Sequence, residues 1–358
     1  MALKGLDALL VNGHRLVVVC FAGNIELCTR LAALESRYPA SLRILKRDLR
    51  ARPFQIARTW TNLAAMVSLV RLIRAEAPDR ILALQGDIEQ ASEIFLPAWL
   101  TRTPLVSYVP MVLSGAERNI RFAAVRDLLS RPLYGLANRF VVISTYFRDQ
   151  AFSRSARDAW VVSNCVDDAF LLEPSRRAAA RSALGLGANE CLTGFVGRIA
   201  YQQKGLDRLL AVLQADPSHF RTNRLLVVGD GPDLPRLKSD LKALGLEDCV
   251  ILKGWESDRV AFFDAMDFFV CVSRFEGVPL TILESLSRGV PVLSVPLPSL
   301  VGYLPLEFID AEFSADALLA ALKSRSPRAA IGEGVPVPLA IGFSRANFDA
   351  SFERAVTS

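Results

Sequence analysis

The residues best suited to chemistry lie in one run, Ser273-Arg274-Phe275-Glu276-Gly277-Val278-Pro279-Leu280-Thr281-Ile282-Leu283-Glu284, which follows an apolar stretch and leads to Gly289-Val290-Pro291-Val292. Pro279 suits the first turn of a helix, where its missing N–H has no partner to lose, and Gly289 suits the left-handed residue that ends one. The amides of Val278, Leu280 and Thr281 would then open a helix start that attracts an anion, and a phosphate fits. Glu276 and Glu284 flank that start. A carboxylate at the buried end of a strand needs a partner, and sugar or ribose hydroxyls are good ones. An isolated pair of acids at this spacing would otherwise read as a loop acid and a solvated helix face. A second group is Gly197-Arg198 with Lys204-Gly205, after the strand Leu192 to Val196. Two cations at one sheet edge can neutralise a pyrophosphate and stabilise its departure, although either alone reads as a surface charge. A third, Gly229-Asp230-Gly231-Pro232, begins like a dinucleotide fingerprint, but Leu234 occupies its third glycine position. It reads as a tight strand-to-helix turn and not as a nicotinamide or flavin site.

Elements that hold such groups follow from the apolar periodicity. In the second half strands are expected at 192–196, 224–228, 250–253, 268–272 and 290–295, alternating with helices at 206–213, 234–244, 258–266 and 279–288. The first half offers strands at 15–21, 80–84, 104–109, 139–144 and 160–163, with a helix over 55–76. Strand–helix alternation implies parallel sheets with right-handed crossovers. A chain of 358 residues exceeds the usual size of one core, so two doubly wound Rossmann-like domains are expected, facing a central cleft. The boundary falls where a less regular Ala/Arg-rich segment with Pro174 gives way to a fresh strand. The first domain is thus read as residues 1–170, with the C-terminal helix 343–358, which follows a Gly/Pro-rich stretch, packing back on it. The second is read as residues 171–342.

Composition narrows the function classes. With 51% hydrophobic and 22% charged residues the chain is globular and not disordered. Six cysteines lie scattered without a C-x-x-C pair, which points to a reduced, cytoplasmic setting, and two histidines at distant positions argue against a zinc site. No secretory signal or membrane-spanning run is read. Residues 1–170 carry 22 Lys/Arg against 15 Asp/Glu, a net +7 that leaves 20 against 22, or −2, for the remainder. Arg58, Arg71, Arg74 and Trp60, then Arg118, Arg121, Arg126 and Arg131, enrich two presumed helices in cations. They suit contact with an anionic membrane surface at its inner face, set against the alternative of a solvated face. No recognised nucleic-acid module accompanies the charge. Asp87-Ile88-Glu89 after a strand suggests a metal-binding acid pair, but that reading leaves the second half unexplained, and a polar loop facing the cleft is preferred.

Taken in order, Val196-Gly197-Arg198 with Lys204-Gly205, Val228-Gly229-Asp230-Gly231-Pro232, and Glu276-Gly277-Val278-Pro279 with Leu283-Glu284 and Gly289-Val290-Pro291-Val292 resemble the C-terminal domain of retaining GT-B glycosyltransferases of family 4. The resemblance implies transfer of a sugar from a nucleoside-diphosphate-sugar to a glycan or lipid-linked acceptor, in bacterial surface-polysaccharide synthesis. It implies no cofactor and no metal, since cations and helix amides take over charge stabilisation, and retention with the leaving phosphate helping to deprotonate the acceptor. Arg198 and Lys204 would bind the diphosphate, and Gly197, Gly229 and Gly231 would shape the donor site. Gly277, Val278, Pro279 and Leu280 would contact phosphate or sugar through the main chain, while Glu276 would hold the sugar and Glu284 the ribose. Gly23 and Asn24 stand where the family has a glycine-rich turn toward the acceptor. The chain departs from the pattern at Ser107-Tyr108-Val109-Pro110, which lacks the family's histidine, and at Pro298 to Tyr303, which lacks its glycine pair and acid. An epimerase acting on the nucleotide-sugar alone, and a silent nucleotide-sugar-binding subunit, are the alternatives.

Overall fold

The computed structural model describes residues 1–47, 54–172, 176–187, 189–256, 258–302, 304, 306–309, 313–324 and 343–358. Pro174, Tyr303 and most of the Gly/Pro-rich stretch before the last helix lie outside the described residues. The fold is α/β, its strands are parallel throughout, and its contacts divide it into two units: Met1–Asn164 with Ala346–Ser358, and Cys165–Arg345.

In the first unit β1 (Leu16–Phe21) pairs with β2 (Leu42–Arg47), while β3 (Ile81–Leu84), β4 (Leu105–Tyr108), β5 (Arg139–Val142) and β6 (Ala159–Val161) form a four-stranded sheet in chain order. The run expected as one helix over 55–76 is two, Gln55–Thr61 and Leu63–Glu76, because the Asn62 side chain accepts from the amide of Ala65 and starts a new helix. The C-terminal helix Arg345–Thr357 returns to this unit. Its Phe352 is fully buried, with its ring 5.7 Å from that of Tyr108, and Arg80 and Arg139 donate to the carbonyls of Val356 and Ala355.

The second unit holds β7 (Thr193–Val196), β8 (Leu225–Val228), β9 (Val250–Lys253), β10 (Phe268–Cys271), β11 (Val292–Ser294) and β12 (Glu307–Phe308). Their order across the sheet is β12-β11-β10-β7-β8-β9. Starting at β7, the chain winds outward one way through β9 and then resumes on the other side of β7 with β10. The order reverses between β7 and β10, which is where the carboxyl ends of an open parallel sheet leave a crevice. The three central strands β7, β8 and β10 are buried throughout, as continuous apolar runs require. Helices Leu206–Ala215 and Ala315–Lys323 cover one face through Leu209, Val212, Leu213, Leu318 and Leu322.

The Ala/Arg-rich segment corrects the sequence reading. Residues Arg177–Ala183 are helical, and Arg177 and Arg181 are buried against Asp267 at 2.5 and 3.0 Å, with Arg177 also donating to the carbonyls of Asp264, Ala265 and Met266. Buried charge at this density survives because each group is both paired and hydrogen-bonded.

Candidate functional site

The carboxyl end of β7 continues into Gly197, Arg198 and the buried Ile199 before the short helix Tyr201–Lys204. The turn after β8 lies directly against this loop. Gly229 has φ 147°, and a Cβ there would fall 1.9 Å from the carbonyl oxygen of Gly197; a Cβ on Gly231 would fall 2.3 Å from that of Ile199. Ile199 donates to the carbonyl of Asp230, and Asp233 donates back to that of Ile199. Gly229 and Gly231 therefore permit two main chains to touch. Arg198 stays exposed between the half-buried Gly197 and the buried Ile199, and among the described residues its side chain has no hydrogen bond or ion pair.

Opposite, the chain leaving β10 passes through Ser273, Arg274 and Glu276. Lys204 reaches it because Gly205, at φ 67°, sits where a Cβ would lie 2.4 Å from the carbonyl oxygen of Val272. The Nζ of Lys204 is 2.5 Å from Oε1 of Glu276, and Ser273 Oγ donates to the same oxygen at 3.1 Å. Both charged side chains are largely buried, Glu276 at 8% exposure and Lys204 at 16%. Arg274 braces the meeting. Its amide donates to the carbonyl of Gln203, and its guanidinium donates to that of Tyr201 and forms a two-pronged pair with Asp207 at 2.9 and 2.5 Å. That bidentate hydrogen bond holds the Asp207 carboxyl below the usual carboxylate range. Ser299 Oγ, fully enclosed, lies 2.9 and 2.7 Å from the carbonyl oxygens of Glu276 and Gly277 and fixes the loop from behind.

Past Glu276 the helix Leu280–Ser287 begins, with Pro279 as its cap and not inside its first turn, and with Gly289 left-handed at its end. Ile282 and Leu283 donate to the carbonyl of Pro279, whereas the amides of Leu280 and Thr281 find no main-chain acceptor among the described residues. Ile282 and Leu283 bury the opposite face. Glu284 is 2% exposed and already has a cation, Arg259, whose Nη2 is 2.7 Å from its Oε1. Arg259 itself lies over the ring of Phe170. The sequence reading gives no role to Ser273, Ser299, Arg259 or the Arg274–Asp207 brace. Ser273 and Arg274 lie inside the singled-out run; Ser299, Arg259 and Asp207 are joined to it by contacts spanning 22 to 67 residues that no spacing announces.

The structure thus brings Gly197, Lys204, Gly229, Gly231 and Glu276 to one edge, with Arg198 beside them and Gly277, Val278, Pro279 and Leu280 following Glu276. Gly23 and Asn24 belong to the first unit. Asn24 caps helix Ile25–Arg37, accepting from the amide of Leu27, and a Cβ on Gly23 would strike the ring of Phe21. The acids Asp87 and Glu89 are neutralised within their unit: Arg118 is 2.8 Å from Asp87, and Arg126 grips Glu89 through two bonds of 2.6 Å. No group of three or more His, Cys, Asp or Glu able to hold a metal occurs among the described residues.

Residues 190–323 match the family described as glycosyl transferases group 1. Over 208 residues, 56% of this chain, the sequence is 31% identical to the lipopolysaccharide core biosynthesis mannosyltransferase LpsB of Rhizobium meliloti (strain 1021), covering 55% of that protein. A lipopolysaccharide 1,6-galactosyltransferase of Salmonella typhimurium (strain LT2) is 28% identical over 44% of this chain and 43% of its own. An alpha-monoglucosyldiacylglycerol synthase of Streptococcus pneumoniae is 34% identical over 32% of this chain and 26% of its own. The chain spans between about a quarter and about half the length of these curated relatives. Among solved structures, Anabaena Alr3699/HepE in complex with UDP and glucose superposes with a TM-score of 0.68 at 18% identity, covering 99% of this chain and 91% of that one. WaaG, a glycosyltransferase involved in lipopolysaccharide biosynthesis, gives 0.65 at 15% identity, with 100% and 90% covered. At these identities the likeness establishes the fold, which is of the GT-B type.

Proposed function

We propose, from the premise that the second unit carries a glycosyl transferases group 1 segment, that the chain moves a sugar from a nucleoside-diphosphate-sugar to a glycan or lipid-linked acceptor in bacterial surface-polysaccharide assembly. The observation that carries this reading is the Lys204–Glu276 pair at the reversal between β7 and β10, with exposed Arg198 on the same strand end and the amides of Leu280 and Thr281 opening the next helix. Cations and uncommitted amides at a strand-end crevice suit a diphosphate, and a buried carboxylate beside them suits sugar hydroxyls. The relatives, a mannosyltransferase and a galactosyltransferase of lipopolysaccharide, and a structural neighbour holding UDP and glucose support the same class.

In this reading the second unit holds the donor and the first the acceptor. The bond between the anomeric carbon and the diphosphate breaks, and one from that carbon to the acceptor oxygen forms on the same face. The acceptor proton passes to the departing phosphate. Arg198, Lys204 and the helix amides stabilise the negative charge that accumulates there, the work a metal ion would otherwise do. Glu276 orients the transferred sugar and, with Lys204 attached to it, is fixed before the donor arrives. Glu284, held by Arg259, receives the ribose.

A panel of uridine, guanosine, adenosine and thymidine diphosphate-sugars, read by thermal shift and by release of nucleoside diphosphate, tests the proposal. One donor should raise the melting temperature, Arg198→Ala should weaken that rise, and release should depend on an added glycan or lipid-linked acceptor. Conversion of the donor without any acceptor would replace the reading by an epimerase. Unchanged stabilisation in Arg198→Ala would remove the diphosphate site.

A further inference from the structure

Within the first unit lies a cavity of about 460 Å³, inside the range of about 300–1,000 Å³ usual for small-ligand sites. Its walls come from the loops that follow β3 and β4, through Ile88 and Leu113, from helix Ala123–Leu136, and from the end of helix Thr145–Ser153 with Arg154. None of these residues belongs to the site proposed for the donor, and none to the Gly23–Asn24 turn.

The polar groups of this lining are only partly used by the fold. Tyr134 is 2% exposed, with its ring stacked on Phe140 at 5.2 Å, yet among the described residues its hydroxyl has no hydrogen-bond partner. A buried hydroxyl in that state is costly until a ligand or a water completes it. Burial also pushes its ionisation up, so at neutral pH it is a donor. Arg131 is exposed and forms no ion pair among the described residues. Arg154 commits one guanidinium nitrogen to Gln150, and the acid it faces, Glu117, stands off at 3.9 Å. Arg118 and Arg126 are already taken up by Asp87 and Glu89. Acceptors complete the set. Asp127 takes the amide of Gly115 and keeps further lone pairs, while Ser130 and Ser153 each donate to a helix carbonyl and so present their oxygens as acceptors. Pro132, inside its helix, has no N–H to offer the carbonyl of Leu128, another wall residue.

A wall that mixes donors with acceptors matches sugar hydroxyls, which must both give and take, and Ile88, Leu113 and Leu128 offer an apolar side to the C–H face of a pyranose ring. The charge balance adds the rest. Two arginines stand against one aspartate that is itself engaged, so a neutral sugar would leave cations without a partner and an acidic one would not. We infer that this cavity binds an acidic sugar of a glycan, a hexuronate or a phosphorylated residue, with Arg131 and Arg154 on its acid and Tyr134, Asp127 and Ser130 on its hydroxyls. The inference goes beyond the transferase reading and does not depend on it, because the sugar is held whether or not a donor is present. It adds a point of attachment on a residue of the glycan other than the one that would receive the transferred sugar.

Titration of the full chain with glucuronate, glucose 6-phosphate, glucose, inorganic phosphate and a glucuronate-containing tetrasaccharide, read by calorimetry and saturation-transfer NMR, tests the inference. The two acidic sugars should bind at least about tenfold more tightly than glucose, and the tetrasaccharide at least as tightly as glucuronate. Arg131→Gln, which breaks no contact among the described residues, should remove most of the preference for acid. Tyr134→Phe keeps the stacked ring and should weaken all three monosaccharides about fivefold, with melting temperature unchanged. Absence of binding, equal affinity for glucose and the acidic sugars, or unchanged affinity in both variants would overturn the inference. Inorganic phosphate binding as tightly as glucose 6-phosphate would reduce the cavity to an anion site, and a tetrasaccharide weaker than glucuronate would exclude a glycan. Displacement of the sugar by uridine diphosphate would move it to the donor site and overturn the inference as well. Nucleoside diphosphate binding, measured on the same samples, separates failure here from failure of the transferase reading.

Discussion

Removing Lys204 should be far more damaging to stability than neutralising Glu276, although the two form one ion pair. The asymmetry comes from exposure and chemistry. Glu276, at 8%, has little contact with water, and without Lys204 its Oε1 keeps only the Ser273 hydroxyl; Lys204, at 16% and on a flexible stem, can swing outward. Leaving a buried charge uncompensated costs about 3–5 kcal/mol, and the partial access of this pair brings the expected cost of Lys204→Met to about 2–3 kcal/mol. Glu276→Gln keeps an acceptor for Lys204 and Ser273 and should cost about 1 kcal/mol. For a unit of this size those values correspond to roughly 4–12 °C and 2–4 °C in melting temperature. The double variant should recover at least about 1 kcal/mol relative to the sum. Ligand response separates the pair's structural contribution from its proposed use. At a nucleoside diphosphate concentration about 100 times the dissociation constant the native protein gains about 2.7 kcal/mol; if Lys204 contributes a charge-assisted contact, a hundredfold weakening leaves about 0.4 kcal/mol. Calorimetry with and without ligand, on the four proteins, is the assay. Strictly additive losses would refute the coupling, and full ligand stabilisation in Lys204→Met would refute the diphosphate role. Glu276→Gln should in addition lower transfer sharply, and retained transfer with a large loss of stability would mean that the acid is structural.

Phe352→Ala, which empties a fully enclosed ring site between Gly5 and Tyr108, should destabilise the first unit by about 3–5 kcal/mol and leave nucleotide binding to the second unit unchanged; calorimetry alongside a binding isotherm checks both halves. Burial holds the His219 imidazole below its ordinary value, so the folded state favours the neutral ring. Its contribution is complete above the unfolded value of about 6.5 and is lost as pH falls through that value toward the lower folded one. Denaturant titrations at pH 7.5 and 5.5 should therefore differ less in His219→Gln than in the native chain, and an identical difference would exclude the assignment.

Strands β7, β8 and β10 are legible in the sequence because each is a short unbroken apolar run bounded by turn residues, the pattern of strands buried on both faces. The sheet edge they share makes Arg198, Lys204 and Glu276 readable as a group. In contrast, β2 (Leu42–Arg47) mixes three apolar residues with three cations and gives no such run, and helix Ala2–Val11 has no side-chain cap and no acid in its first turn. Helix 177–183 is obscured because its arginines look solvated until Asp267, some ninety residues away, is seen to hold them. The split at Asn62 carried a signal, since an asparagine three residues before a free amide is a standard start, but the surrounding apolar period masked it. The Lys204–Glu276 contact itself rests on Gly205 touching the end of β10, and the partner of Glu284 rests on how helix Val260–Ala265 lies, neither of which local spacing encodes.

The helix carrying Phe352 has a bearing on synthesis. The first unit is interrupted by the whole of the second, and its last piece leaves the ribosome only afterwards, so a nascent chain can complete the later-made unit while the earlier-made one still exposes the groove awaiting that ring. For as long as translation continues, the earlier unit's vacant seat is a target for chaperones or for misassembly with neighbouring nascent chains. A circular permutant that placed residues 346–358 ahead of Met1 through a linker would shorten that interval, at the cost of cutting the helix after its first residue, Arg345.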